Sequence, residues 1–66
     1  MSIDKYVGRM IMIVYVDKKD RFSKRTIRVM KIKGRMVLAF DLARNEPRQF
    51  ETERILAAEP VSSRGR

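Results

Sequence analysis

The chain lacks cysteine, histidine and tryptophan, and each absence excludes a class of protein. Without cysteine it has no disulfide and no thiol nucleophile. Without cysteine and histidine together it lacks the usual zinc ligands and the Ser-His-Asp triad. The carboxylates of Asp17, Asp20 and Asp41 are the remaining metal ligands for a small nuclease, but their spacing matches no ligand set. We therefore predict a protein that is not an enzyme and that binds neither a cofactor nor a metal.

The chain is also short, and its apolar runs are short. Its 66 residues suffice for one domain, which we place at residues 1–60, followed by a disordered basic tail over 61–66. The longest apolar run, from Met10 to Val16, falls far below the roughly 20 residues that span a bilayer. No secretory signal is recognisable at the N-terminus. We expect a soluble cytoplasmic protein that does not bind membranes and whose small core leaves homo-oligomerisation open.

The apolar residues alternate with polar ones over most of the chain, which is typical of β-strands. The alternation changes phase at Met30, and such a change in mid-strand predicts a β-bulge. The fold class predicted is mainly β, a small and strongly bent antiparallel barrel of about five strands, of the Sm-like or oligonucleotide-binding kind. A short helical turn is predicted over 2–7, with Ser2 as its N-cap, and a second over 51–54. Strands are predicted over 9–16, 23–33, 35–43, from Arg48 onward, and over 55–59.

Positive charge is concentrated in one segment. Residues 18–35 contain nine basic residues and one acidic residue, which accounts for the whole net charge of +8. A solvated surface that keeps a small domain soluble is one explanation. The other is an anionic partner, which the ten arginines favour because a guanidinium pairs with phosphate in a bidentate way. We predict single-stranded nucleic acid or a nucleotide ligand as the partner.

Several side chains are candidates for contacting that partner. A cation beside an aromatic ring can hold a phosphate and stack a base, although in so small a protein aromatic residues such as Phe50 and Tyr15 more often belong to the core, the latter with one hydrogen bond. Ser23 and Arg25 face the same way on an extended chain and form either an anion site or, for the serine, a local cap. The predicted binding residues are Tyr15, Ser23, Arg25, Arg44, Arg48, Phe50 and Arg54. The residues predicted to steer phosphates are Lys18, Lys19, Lys24 and Arg28.

Two other residue types have a simpler interpretation. The five methionines are expected to fill the core, with an adaptable partner-binding surface as the alternative. The acidic residues of the last third are expected to form surface ion pairs with Arg44, Arg48 and Arg54.

A series of short motifs resembles the WYL domain family, whose members are small Sm-like barrels found in many bacterial transcription regulators. The similarity runs from about Ile11 to Val61. The residues that name the family fall on Arg35, Met36 and Val37, so all three are replaced here. The motifs are Ile13-Val14-Tyr15, Ser23-Lys24-Arg25, Ala39-Phe40-Asp41, Arg44, Arg48-Gln49-Phe50 and Arg54-Ile55.

The resemblance implies a positively charged groove that binds a nucleic acid or nucleotide ligand. It implicates the same tyrosine, serine and arginines that were singled out above, with Phe50 as a core residue or a stacking surface. The function predicted is an accessory or regulatory factor of transcription, phage biology or defence in a bacterial cell. The alternative is a protein-interaction module, either a homo-oligomer or a subunit that docks on an acidic partner.

Overall fold

A computed structural model describes residues 3–61 of the chain. A 3-10 turn at Ile3–Tyr6 precedes five strands, and a second 3-10 turn, Thr52–Arg54, lies between the last two. The predicted N-cap, Ser2, lies outside the described residues. The mainly β fold with about five antiparallel strands and a short N-terminal turn is confirmed. The strands are β1 (Met10–Val16), β2 (Phe22–Lys33), β3 (Met36–Asp41), β4 (Glu46–Glu51) and β5 (Ile55–Pro60).

The five strands form one antiparallel sheet in the order β4-β3-β2-β1-β5. In the described part of the chain no ladder joins β4 to β5, so the sheet is curled but not hydrogen-bonded into a closed barrel. Tyr15 on β1 nevertheless contacts Phe50 on β4, with the ring centroids 5.0 Å apart. The curl therefore brings β4 and β1, the first and fourth strands of the sheet order, together on its inner side.

The predicted irregularity in β2 is present. Between Val29 and Lys31 the register with β3 shifts by one residue, so that Met30 and Lys31 both lie opposite Leu38. A bulge of this kind bends the strand and increases its twist. It lets one 12-residue strand serve both halves of the curled sheet.

Two tight turns depend on residues that tolerate a left-handed backbone. The β2–β3 turn contains Gly34 at φ +60°, and the N-terminal turn ends at Gly8 with φ +83°. The N–H of Gly8 donates to the Val29 carbonyl at 2.7 Å, which ties the N-terminal segment to β2. In the β1–β2 turn the carboxylate of Asp17 accepts hydrogen bonds from the backbone N–H groups of Lys19 and Arg21.

The core occupies the inner face of the sheet, which we define by the buried residues that alternate along each strand. Ile11, Ile27 and Val37 are fully buried there, and the N-terminal turn adds Ile3 and Tyr6. The remaining buried hydrophobic residues are Ile13, Val29, Ala39, Phe50 and Ile55. Asp41 is the buried charged residue within 3–61.

The outer face of the sheet, the side opposite the core, is not fully polar. Met36, Leu38 and Phe40 alternate with the buried residues of β3 and lie half-buried on the outer face. Met10 and Met12 lie on the outer face of β1, and Met30 is 53% exposed at the bulge. The prediction that the methionines fill the core is therefore wrong for the four that the structure describes, because the inward positions are taken by branched aliphatic residues, alanine and phenylalanine.

The described segment contains no helix long and apolar enough to cross a membrane.

Candidate nucleic-acid interface

The predicted binding residues divide between the two faces of the sheet. Arg25 lies on the inner face of β2, where its Nη1 donates to Oδ2 of Asp41 at 3.0 Å. The Asp41 side chain is 1% exposed and that of Arg25 is 24% exposed. The Arg25 Nε is buried and has no hydrogen-bond partner in residues 3–61. The charge of Arg25 is thus neutralised inside the fold.

Besides its ion pair with Arg25, Asp41 accepts hydrogen bonds that stabilise the turn after β3. Its Oδ1 accepts hydrogen bonds from the backbone N–H groups of Ala43 and Arg44, at 3.1 and 3.2 Å. Burial favours the neutral acid, but the hydrogen bonds from Arg44, Arg25 and Ala43 and the charge of Arg25 together outweigh it and lower the pKa of Asp41. The hydrogen bonds of Asp41 are therefore made within the protein, and its role is to stabilise the fold.

The two predicted aromatic residues contact each other. Tyr15 and Phe50 meet edge to face with 76° between their ring planes, and the Tyr15 hydroxyl accepts a hydrogen bond from the Glu51 N–H at 3.1 Å. Phe50 is 1% exposed, so its ring is closed to a base, and it is a core residue rather than a stacking surface. Tyr15 is likewise a packed tyrosine with one hydrogen bond.

Arg48 and Arg54 make partly exposed contacts near this aromatic pair. The guanidinium carbon of Arg48 lies 6.0 Å from the centre of the Phe50 ring, and Nη1 is 3.8 Å from a Glu46 carboxylate oxygen. Arg54 donates to the Asp17 carbonyl at 3.0 Å and lies 3.7 Å from the Glu51 carboxylate. The expected ion pairs are confirmed for these two arginines.

The other predicted residues lie on β2 and in two turns. Ser23 is half-buried on the inner face opposite Tyr15, while Arg44 is exposed in the β3–β4 turn. Lys18 and Lys19 are exposed in the β1–β2 turn. The structure thus brings Tyr15, Ser23, Phe50, Arg48 and Arg54 into one neighbourhood, with Arg25 held by Asp41. Arg54 also reaches the turn that carries Lys18 and Lys19.

The outer face of β2 carries four cations along its length, which we call the basic strip. Lys24 and Arg28 lie opposite Val14 and Met10 of β1, and the bulge then returns two further lysines to the same face. All of these residues are exposed, and none has an ion pair within the described range. The basic strip consists of Lys24, Arg28, Lys31 and Lys33.

Lys31 and Lys33 were not among the residues predicted from the sequence. The signal that would have identified them is the bulge itself, because one extra residue at Met30 reverses the alternation and places Lys31 on the same side as Arg28. Strict strand alternation counted from Lys24, without a bulge, would place Lys31 and Lys33 on the inner face.

Apolar and aromatic side chains border the basic strip on both sides. Arg28 pairs with Phe40 across the β2–β3 ladder, and Lys31 and Lys33 pair with Leu38 and Met36. Phe22 begins β2 on the same face and is 67% exposed. Positive charge flanked by exposed or half-exposed aromatic rings is the arrangement that single-stranded nucleic acid needs, with phosphates on the cations and bases on the rings.

A hollow of about 280 Å³ opens beside the strip, where the bulge widens the outer face between β2 and β4. Its lining is mainly apolar. The residues are Met30, Leu38, Ala39, Pro47, Arg48 and Gln49.

No three acidic residues within residues 3–61 are placed to hold a metal ion together. Comparison with models of known families, with curated proteins and with solved structures finds no match for this chain. The resemblance to the WYL family therefore stays a prediction.

Proposed function

We propose that this protein binds single-stranded nucleic acid without catalysing a reaction, and that the basic strip on the outer face of β2 is its main contact surface. The observation that carries the proposal is the line of four exposed cations, all without ion pairs in residues 3–61, on one strand. In the same range, Arg25, Arg48 and Arg54 have acidic neighbours that offset their charge.

The dimensions of the strip suit this partner. Lys24 and Lys33 are nine residues apart on one strand, which corresponds to about 30 Å at roughly 3.3 Å per residue. This length is comparable with the longest extent of the protein, 36 Å. Small β-barrels that bind single strands contact about 4 to 16 nucleotides. A strip of this length falls within the range of a short oligonucleotide.

The outer-face methionines support a partner surface of the adaptable kind. Met12 and Met36 are half-buried beside the strip, and Met30 is exposed at its centre. Flexible thioether side chains suit contacts with partners of variable shape, such as bases of different size. Four methionines on one face do not make a small domain more soluble, so their presence favours a surface that binds a partner.

The test is a fluorescence anisotropy titration of the protein with single-stranded DNA and RNA of about 12 nucleotides. Four phosphate contacts predict a slope of log K against log salt near −2.8, or about 50-fold weaker binding between roughly 50 and 200 mM salt. Duplex DNA of equal length is expected to bind more weakly because its bases are not available for stacking. No binding at the lower salt concentration, or binding indifferent to salt, would overturn the proposal.

A protein-interaction module is the second candidate, and the exposed apolar residues favour it. Phe22, Met30 and Leu56 are 67%, 53% and 49% exposed, and both β4 and β5 are edge strands in residues 3–61. Exposed apolar groups and open edges are features through which copies of a chain associate. Sedimentation equilibrium distinguishes this candidate: a monomer at all concentrations counts against a homo-oligomer.

A further inference from the structure

The hollow on the outer face has a floor and two walls that come from different strands. Leu38 of β3 forms the floor, Met30 of β2 stands on one side, and Pro47 and Gln49 of β4 stand on the other. The bulge produces the opening, because it places Met30 and Lys31 together opposite the single residue Leu38. The hollow is thus a product of the irregularity in β2 and not of a loop.

Its chemistry fits a planar heterocycle. The lining is mainly apolar, and the exposed Gln49, which lies directly opposite Leu38, provides a primary amide. An amide both donates and accepts hydrogen bonds, as the polar edge of a nucleobase does. A volume of about 280 Å³ is just below the range of small-ligand sites, roughly 300 to 1,000 Å³. This suits one base better than a whole dinucleotide.

The hollow also adjoins the positive charge. Lys31 is the cross-strand partner of Leu38, and Arg28 and Lys33 are the partners of Phe40 and Met36 on either side of it. A phosphate on Lys31 therefore belongs to a nucleotide whose base is within reach of Leu38. The positive charge next to the apolar lining favours an anionic chain that carries flat aromatic bases over a neutral ligand.

We propose that this hollow receives one nucleobase of the single strand that lies along the basic strip. The proposal rests on the proposed function and adds a specific contact to it: the base packs between Met30 and Pro47 above Leu38, and Gln49 bonds its polar edge. The strip then supplies affinity that is independent of sequence, while the hollow supplies a preference for a chain that carries bases.

The experiment compares two oligonucleotides of equal phosphate number, one with mixed bases and one abasic throughout, by anisotropy at low salt. We expect the base-bearing strand to bind about tenfold more tightly. Met30→Ala and Gln49→Ala are each expected to reduce that ratio severalfold while leaving the affinity for the abasic strand unchanged. Val7→Ala removes an apolar side chain that is 46% exposed before β1, outside both the hollow and the basic strip, and as the control it is expected to keep the ratio.

The outcomes separate the two proposals. Equal affinity for the two strands, or a ratio that neither substitution in the hollow changes, overturns the base site while the function stands. If neither strand binds, the proposed function fails and the base site fails with it. Circular dichroism melting of each variant ensures that the comparison is between folded proteins.

Discussion

Arg25 and Asp41 form an ion pair whose carboxylate is buried, unlike the carboxylates of the other ion pairs within residues 3–61. Arg25 Nη1 lies 3.0 Å from Asp41 Oδ2, and the Asp41 side chain is 1% exposed, whereas the carboxylates of the other three pairs are 33% to 50% exposed. This pair ties β2 to the end of β3 on the inner face. It also offsets the charge of one arginine of β2, whereas the four cations of the basic strip on the outer face have no ion pair within residues 3–61.

Removal of Arg25 is expected to destabilise the fold much more than removal of a surface arginine. Arg25→Met leaves a buried carboxylate without its countercharge, so we expect the free energy of unfolding to fall by about 3 kcal/mol. Arg21→Met is the control, since Arg21 pairs with Asp17 at 3.3 Å but is 73% exposed. That change is expected to cost less than about 1 kcal/mol. Urea unfolding at neutral pH measures both, and equal losses would contradict a structural role for Arg25.

The lowered pKa of Asp41 makes stability depend on pH in the acid range. Because the pKa is lower in the folded state, the stabilisation is complete above the ordinary aspartate value near pH 4. It is lost as the pH falls through the folded-state pKa. Asp41→Asn removes the titrating charge, so the variant is expected to be less stable at neutral pH and to lose less stability on acidification.

Free energies of unfolding measured from about pH 7 to pH 2 for the two proteins give this comparison directly. The curves are expected to converge at low pH. Curves that stay parallel across the range would show that Asp41 is not the source of the acid dependence.

The hydroxyl of Tyr15 is expected to contribute to stability through one hydrogen bond. Tyr15→Phe leaves the Glu51 N–H without its acceptor, which predicts a loss of about 1 to 2 kcal/mol in the free energy of unfolding. Tyr6→Phe is the matched control, because Tyr6 is buried and none of the side-chain hydrogen bonds within residues 3–61 involves its hydroxyl. A loss of similar size in both variants would assign the effect to ring packing instead.

We expect glycine to be needed at position 34 because of the backbone conformation there, and not because a side chain would clash with its neighbours. An added Cβ meets nothing within 4 Å, but the residue has φ +60° in the β2–β3 turn. Gly34→Ala should therefore cost about 1 kcal/mol, which in a domain of this size lowers Tm by roughly 5 °C. Gly34→Asn should cost less, since asparagine tolerates this region better. Equal melting temperatures for wild type and the alanine variant would contradict this explanation.

Local sequence patterns predicted the strands well, because strand alternation and turn residues act over short distances. The change of phase at Met30 correctly located the bulge. The side of β3 that faces the core was harder to infer. Its larger residues, Met36 and Phe40, lie outside, and the smaller Val37 and Ala39 lie inside, where the curled sheet leaves little room.

The surroundings of the site residues could not be predicted from local sequence, because they depend on contacts between distant parts of the chain. Whether Arg25 faces a ligand or a carboxylate depends on Asp41, which is 16 positions away and reaches it only through the β2–β3 register. The burial of Phe50 depends in the same way on Tyr15. The charge of residues 18–35 identified β2 as the basic strand. Which face of β2 carries that charge is determined by the bulge.

The most direct test of the central claim is the salt dependence of oligonucleotide binding for two variants of equal net charge. Lys24→Gln with Arg28→Gln removes two cations of the basic strip, whereas Lys5→Gln with Arg9→Gln removes two exposed cations near the N-terminus. We predict that the slope of log K against log salt changes from about −2.8 to about −1.4 in the strip variant and stays near −2.8 in the other. Equal changes in the two variants, or none in the strip variant, would contradict binding through the outer face of β2.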